Sequence, residues 1–315
     1  MNLVHSTKPH PQKAHAKGRL LRGTFTPTQL ASTLSCAPHF TSPSTPLLAR
    51  FSSSTGLPEI PDTDPNANPR GFAVRFLLPS SHDGHEPGNR ADQQQQQHSP
   101  HTDIIAHSTP FFPTRTGEGF LAMLRALGDG SIGDFLQATP SAKAFVEAPK
   151  PSPVSFAAQE FWGVNAFFLV DDKGERTAVR YQIVPAGDGG GVETLSDEEL
   201  KTKSPTYLFD ELAERFTGSS SSSSPKVSFN LLAQIAEADD PTDDATIHWP
   251  AGRRVVELGL IELDTLLGED ESAVVQQRVI FDPIPRVEGV EASGDPLLEV
   301  RAGVYLISGR GRRGA

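Results

Sequence analysis

The chain predicts an antiparallel α+β domain, and three observations carry that reading. Strand-like segments follow one another without a helix between each pair. Two of them are joined by the tight turn Asp171-Asp172-Lys173-Gly174, a hairpin signal. Helical patterns interrupt the strands irregularly, without the strand–helix alternation of a doubly wound parallel sheet.

In chain order, Leu20-Leu21-Arg22-Gly23-Thr24-Phe25 and Leu47-Leu48-Ala49-Arg50-Phe51 read as short strands. Residues 71–78 (Gly-Phe-Ala-Val-Arg-Phe-Leu-Leu) form a strongly apolar strand. Residues 80–101 are polar, with glutamine from Gln93 to Gln97, and read as an inserted flexible loop. A short strand is expected over 102–107 and a helix over 116–127, with Phe120, Leu121, Leu124 and Leu127 on one side. The hairpin strands span 163–170 and 176–184, and 206–216 looks helical. A run from Ser219 to Ser224 is a second low-complexity insertion. Strands resume at 226–236 and 254–263, and 296–308 reads as a terminal helix.

Composition sets limits. A chain of 315 residues accommodates one large domain or two small ones. Its 37% apolar share is modest, and 27 Gly with 27 Pro predict many turns. The net charge of −11 argues against general binding to nucleic acid or membrane surfaces. Cys36 is the single cysteine, which excludes an intrachain disulfide framework and a cysteine-based metal site. No apolar run reaches the roughly 18 residues of a membrane span. Residues 1–58 hold no Asp or Glu, which resembles a mitochondrial transit composition. The strand-like segments within them favour folded core after a disordered start at 1–11. With neither a secretory apolar region nor a Ser-Lys-Leu end after Arg313, the expected compartment is cytoplasmic.

Two segments almost 290 residues apart suggest chemistry. In Arg301-Ala302-Gly303-Val304-Tyr305 an Arg precedes a Tyr by four, so a helix places both on one face. A guanidinium there favours the phenolate, and a phenolate is one of the few protein groups that ligates haem iron. His15, in Ala14-His15-Ala16-Lys17-Gly18, is an imidazole that could handle peroxide protons. Arg and Tyr four apart also occur by chance in many helices, and His5 and His10 make a plain histidine-rich tail the alternative for His15.

Seven segments in order resemble the catalase superfamily, and especially its short members, the catalase-related peroxidases. They are His15-Ala16-Lys17-Gly18, Arg50-Phe51-Ser52, Asn68-Pro69-Arg70-Gly71-Phe72-Ala73-Val74, Thr109-Pro110-Phe111-Phe112, Gly163-Val164-Asn165-Ala166-Phe167, Phe281-Asp282-Pro283 and Arg301 to Tyr305. The resemblance implies one haem domain over 12–313, with insertions near 80–101 and 217–225. Its architecture would be a catalase-like antiparallel β-barrel with flanking helices enclosing b-type haem. Tyr305 matches the iron ligand and Arg301 the cation that holds its phenolate. His15 matches the distal acid–base residue and Ser52 the serine that supports it. Arg50 and Arg312 match cations for the haem propionates, and Phe120 an aromatic packed on the haem face.

The chain departs from the pattern at several positions. His107 stands where large catalases carry a distal Asn, offering a second base instead of a neutral amide. Gln12 falls where a propionate-binding Arg is common, with Lys13 beside it, and Ile307 replaces an Asp. A coral relative that makes allene oxides carries a Thr after its distal His, whereas Ala16 stands here. These features imply a haem peroxidase that reduces hydrogen peroxide or organic hydroperoxides with a small organic donor, with weaker catalase activity. A specialised hydroperoxide- or secondary-metabolite-converting enzyme of the allene-oxide type and a non-enzymatic haem-binding protein are the alternatives. A homodimer is compatible with this reading.

Overall fold

The computed structural model describes residues 15–79, 100–187, 191–217 and 226–313, with the backbone alone at Arg312. The ten strands are β1 (Gly18–Pro27), β2 (Thr45–Ser52), β3 (Gly71–Leu77), β4 (His101–His107), β5 (Phe161–Trp162), β6 (Phe167–Val170), β7 (Arg176–Pro185), β8 (Val227–Ile235), β9 (Val255–Leu266) and β10 (Val290–Ala292). Eight close into an antiparallel barrel in the order β7-β5-β4-β3-β2-β1-β9-β8, with β8 pairing back to β7. β6 and β10 extend from the β7 edge. Closure removes the exposed sheet edge that would otherwise template aggregation.

Period-two alternation fills the barrel. In β8, Val227, Phe229, Leu231 and Ala233 are buried in the main core. Inside, Phe51 stacks on Phe72 and Phe156 with ring centroids 4.5 and 4.9 Å apart, and Phe161 and Phe229 close the cluster. Truncating one such buried ring to Ala costs about 3–5 kcal/mol. The intervening side chains face outward: Leu20 and Leu48 pack there with Leu267.

Helices flank the barrel. They are α1 (Ala31–Leu34), α2 (Pro38–Thr41), α3 (Gly117–Asp129), α4 (Ile132–Ala138), α5 (Pro140–Glu147), α6 (Asp197–Leu200), α7 (Tyr207–Thr217), α8 (Glu269–Arg278) and α9 (Pro296–Arg313). The stretch between α8 and β10 is clamped by Arg75 and Asp103, which face each other across β3 and β4. Arg75 donates two bonds to the Asp103 carboxylate, at 2.8 and 2.7 Å, and Asp103 also accepts the Asp282 amide at 2.7 Å. Among the described residues no helix is long and apolar enough to cross a membrane.

Four sequence expectations change. The first hairpin strand, expected over 163–170, is reduced to β6, because residues 163–166 lie outside any strand, and β5 just before them was not expected. His101, expected in the polar loop, already pairs with Leu77 as the first residue of β4; the rest of that insertion (80–99), the serine run and the 1–11 start lie outside the described residues. Helix α3 buries Met123 and Ala126, and the anticipated apolar side stays open, with Leu121, Leu124 and Leu127 about half exposed. Helices α4, α5 and α8 escaped the pattern because they bury almost nothing: α4 has no buried residue, and α8 only Ser272.

Candidate active site

Adjacent strand ends build one wall of the site. Ser52 ends β2, Gly71 opens β3 and His107 ends β4. The ladders pair Ser52 with Gly71, Gly71 with His107, and His107 with Trp162. Their neighbours Phe51, Phe72, Ala106 and Phe161 fill the barrel, so this row faces outward, under the helices.

His15 lies over the row. Its Nδ1 is 3.1 Å from Ser52 Oγ. Gly71 makes this approach possible: a Cβ there would sit 2.5 Å from Ser52 Oγ and 3.0 Å from His15 Nδ1. His15 itself holds a left-handed backbone, with φ 57°, which costs a non-glycine residue about 1–2 kcal/mol. Arg50 supports that turn by donating to the carbonyls of His15 and Ala16, at 3.1 and 3.3 Å, and to Gln276 Oε1 at 2.9 Å. The expected propionate cation is thus, in its described bonds, a brace for the backbone of His15.

Both imidazoles are kept neutral. Burial, then the charges of Arg50 and Arg301, lower the His15 pKa to about 4, against a small opposing contribution from the Ser53 backbone. Burial, then Arg301 and His15, lower that of His107 to about 3. His107 Nδ1 meets Thr109 Oγ1 at 2.7 Å and accepts the Thr109 amide at 3.3 Å. Its Nε2 is buried and has no hydrogen-bond partner among the described residues.

Helix α9 carries the other half. Its first turn is fixed: Asp295 Oδ1 accepts the Leu297 amide at 2.9 Å, and Leu297 packs with Val164, Ala245 and Phe112. Asp295 Oδ2 accepts from Asn165 Nδ2 at 2.8 Å, and Asn165 Oδ1 in turn accepts from Arg301. The second guanidinium nitrogen of Arg301 reaches Tyr305 Oη at 3.4 Å. A carboxylate, an amide, a guanidinium and a phenol therefore form one chain. Burial raises the Asp295 pKa, and the Leu297 amide, Asn165, Arg301 and Arg180 offset part of that rise.

The structure thus brings together His15, Ser52, Arg50 and His107, and separately Arg301 with Tyr305. Phe120, half-buried on α3, lies 5.0 Å from Phe112, which is 6.3 Å from His107. Arg312 belongs to the last turn of α9, and its side chain, like Gln12 and Lys13, lies outside the described atoms. Ile307 is 71% exposed. Sequence reasoning missed four supporting residues: Gly71, Thr109, Asn165 and Asp295. The first three lay inside matched segments. The only local signal for Asp295 is an Asp directly before Pro296 at a helix start.

The residues fit a haem better than a bare ion. No group of three His, Cys, Asp or Glu among the described residues could hold a metal by itself. A lone guanidinium-held phenol suits a metal whose remaining ligands come from an organic ring. Val300 and Val304, on α9 beside Arg301 and Tyr305, are 41% and 52% exposed, apolar surface that such a ring could cover.

The geometry thus holds a serine-supported imidazole on the outer wall of a closed barrel and an arginine-held phenol whose Arg301 charge reaches that imidazole. The comparisons name the class. The catalase family model matches residues 4–81 and 102–315. A catalase-related peroxidase of Mycolicibacterium paratuberculosis is 33% identical over 98% of this chain and 90% of its own length. A second, from Synechococcus elongatus, is 29% identical over 94% of the chain and 82% of its own length. The chain covers 60% of the length of a wheat catalase, at 26% identity. Catalase A of Saccharomyces cerevisiae superimposes with a TM-score of 0.77 over 98% of this chain and 62% of its own, at 22% identity, a likeness of fold. The chain belongs to the catalase family and is an oxidoreductase of that type, with the compact length of the catalase-related peroxidases.

Proposed function

We propose that this protein is a peroxidase that binds b-type haem through Tyr305 and reduces hydrogen peroxide or an organic hydroperoxide with a small organic donor. The observation that carries the reading is the Arg301–Tyr305 pair, with an Arg301 charge that reaches the serine-supported His15, in a chain of this family. We place the site in a single domain over 12–313 and in the cytoplasm.

Bound haem would supply an iron that takes up the peroxide and exchanges the electrons that cleave its O–O bond. The chain's own residues handle the protons and the charge. His15, neutral above a pKa of about 4, takes a proton from one peroxide oxygen and returns it to the other, which leaves as water or an alcohol. Ser52 fixes the ring by its contact with Nδ1, leaving the other nitrogen for the transfer. Arg301 donates to the Tyr305 oxygen and so fixes its position. Tyr305 and Arg301 would hold the haem from α9, and Phe120 lines the same region from α3. The test is the absorption spectrum of the loaded protein. Tyr305→Phe should abolish the tyrosinate-to-iron signature and most haem affinity, and an unchanged spectrum would remove the assignment. His15→Ala should lower peroxide reduction by about 10²–10⁴.

A further inference from the structure

We propose that His107 is a fixed hydrogen-bond donor to the bound hydroperoxide, with Thr109 as the positioning residue that sets its tautomer. The proposal deepens the peroxidase reading and rests on it. The argument begins at Nδ1. A backbone amide can only donate, so the Thr109 N–H, 3.3 Å from His107 Nδ1, requires a lone pair on that nitrogen. The hydroxyl of Thr109, a residue 1% exposed, lies 2.7 Å from the same atom, and with Nδ1 accepting it is the hydroxyl that donates there. A neutral imidazole with Nδ1 accepting must carry its hydrogen on Nε2.

That hydrogen has a place to act. Nε2 is buried without a protein partner among the described residues, and an unsatisfied buried N–H is costly enough to need an explanation. His107 shares its row with Ser52 and Gly71, under His15, so the free N–H belongs to the same site as the proton-transfer group. Burial first, and then Arg301 and His15, disfavour a charge on His107. The ring is therefore built to donate without titrating. This replaces the sequence expectation of a second base. His15 moves protons, and His107 orients the oxygen that receives them.

Fluoride is a suitable probe. It accepts hydrogen bonds and its binding to the loaded ferric protein is read by optical titration, independently of turnover. His107→Leu should weaken fluoride binding by about 10- to 100-fold, the worth of a hydrogen bond to a charged acceptor. His107→Gln, which keeps an N–H donor, should recover most of that loss. Thr109→Val, which removes one of the two donors to Nδ1, should weaken binding several-fold while Thr109→Ser does not, and this pair decides the matter if His107→Leu fails to fold. Unchanged or tighter fluoride binding in His107→Leu, or in Thr109→Val when His107→Leu does not fold, overturns the proposal. A wild-type protein with no haem spectrum to titrate would instead overturn the peroxidase reading beneath it.

Discussion

Adding one carbon at Gly71 should disable the site while leaving the barrel intact. In Gly71→Ala the new Cβ would lie 2.5 Å from Ser52 Oγ and 3.0 and 3.1 Å from two atoms of the His15 ring. Ordinary van der Waals contact begins about 3.4 Å, so both groups must move. Ser52 can rotate, and doing so breaks its 3.1 Å contact with His15 at a cost of about 1 kcal/mol. The imidazole must also give by a few tenths of an ångström, a fraction of the displacement of about 1 Å that costs about 10²-fold in rate. The fold pulls the other way, since Ala is favoured over Gly within a strand by about 0.5–1 kcal/mol. Peroxide consumption by the loaded protein should therefore fall about tenfold while the urea midpoint changes little. Haem occupancy read from the absorption spectrum separates lost proton transfer from lost cofactor. Wild-type turnover in Gly71→Ala, at equal occupancy, would refute the packing argument. So would a protein that no longer folds.

Three further outcomes follow from the same structure. His39 is buried among Phe25, Phe40 and Phe76, and burial lowers its pKa to about 3. Its neutral form contributes stability in full above the unfolded value near 6.5 and loses it as pH falls towards 3. In His39→Leu the drop in unfolding free energy between pH 7.5 and pH 5 should shrink by about 2 kcal/mol, and an equal drop in both proteins would contradict this. Asp295→Asn keeps an acceptor for the Leu297 amide but sets an amide donor against Asn165, so chemical denaturation should show a loss of about 1–3 kcal/mol. Deleting residues 84–98, polar throughout and outside the described residues, should leave haem binding and the melting temperature within a few degrees of wild type.

The barrel strands were legible because each carries a run of buried apolar side chains with turn residues between runs. Leu20 to Phe25 and 71–78 are examples, and their observed ladders differ from the expected limits by a residue or two. The Arg301–Tyr305 pair was legible for a similar reason, since a spacing of four has one meaning on a helix. What escaped depends on contacts that spacing does not encode. Residues 163–166 carry Gly163, Asn165 and Ala166, all poor strand formers, and Asn165 bonds instead to Asp295, 130 residues away. The tautomer of His107 turns on the direction of one amide two residues later, and composition says nothing of it. Leu121, Leu124 and Leu127 misled because apolar periodicity marks a face without saying what covers it.

The two sides of the site are held differently, and Arg301 joins them. The His107 side rests on hydrogen-bonded strand ends over a filled barrel, where small displacements are resisted by packing. The phenol side rests on one helix that is anchored in its first turn and becomes exposed further on, at Val304 and Ile307. Arg301 lies where the anchored part gives way to the exposed part. It is tied to the barrel through Asn165, reaches Tyr305 four residues later, and its charge lowers the proton affinity of both His15 and His107. A single cation thus holds the phenol on its own helix and, with burial, favours neutral imidazoles on the wall. Ser52 and Thr109 each touch one histidine, so their loss stays local. Loss of the Arg301 charge acts on both histidines together and also removes the hydrogen bond to Tyr305.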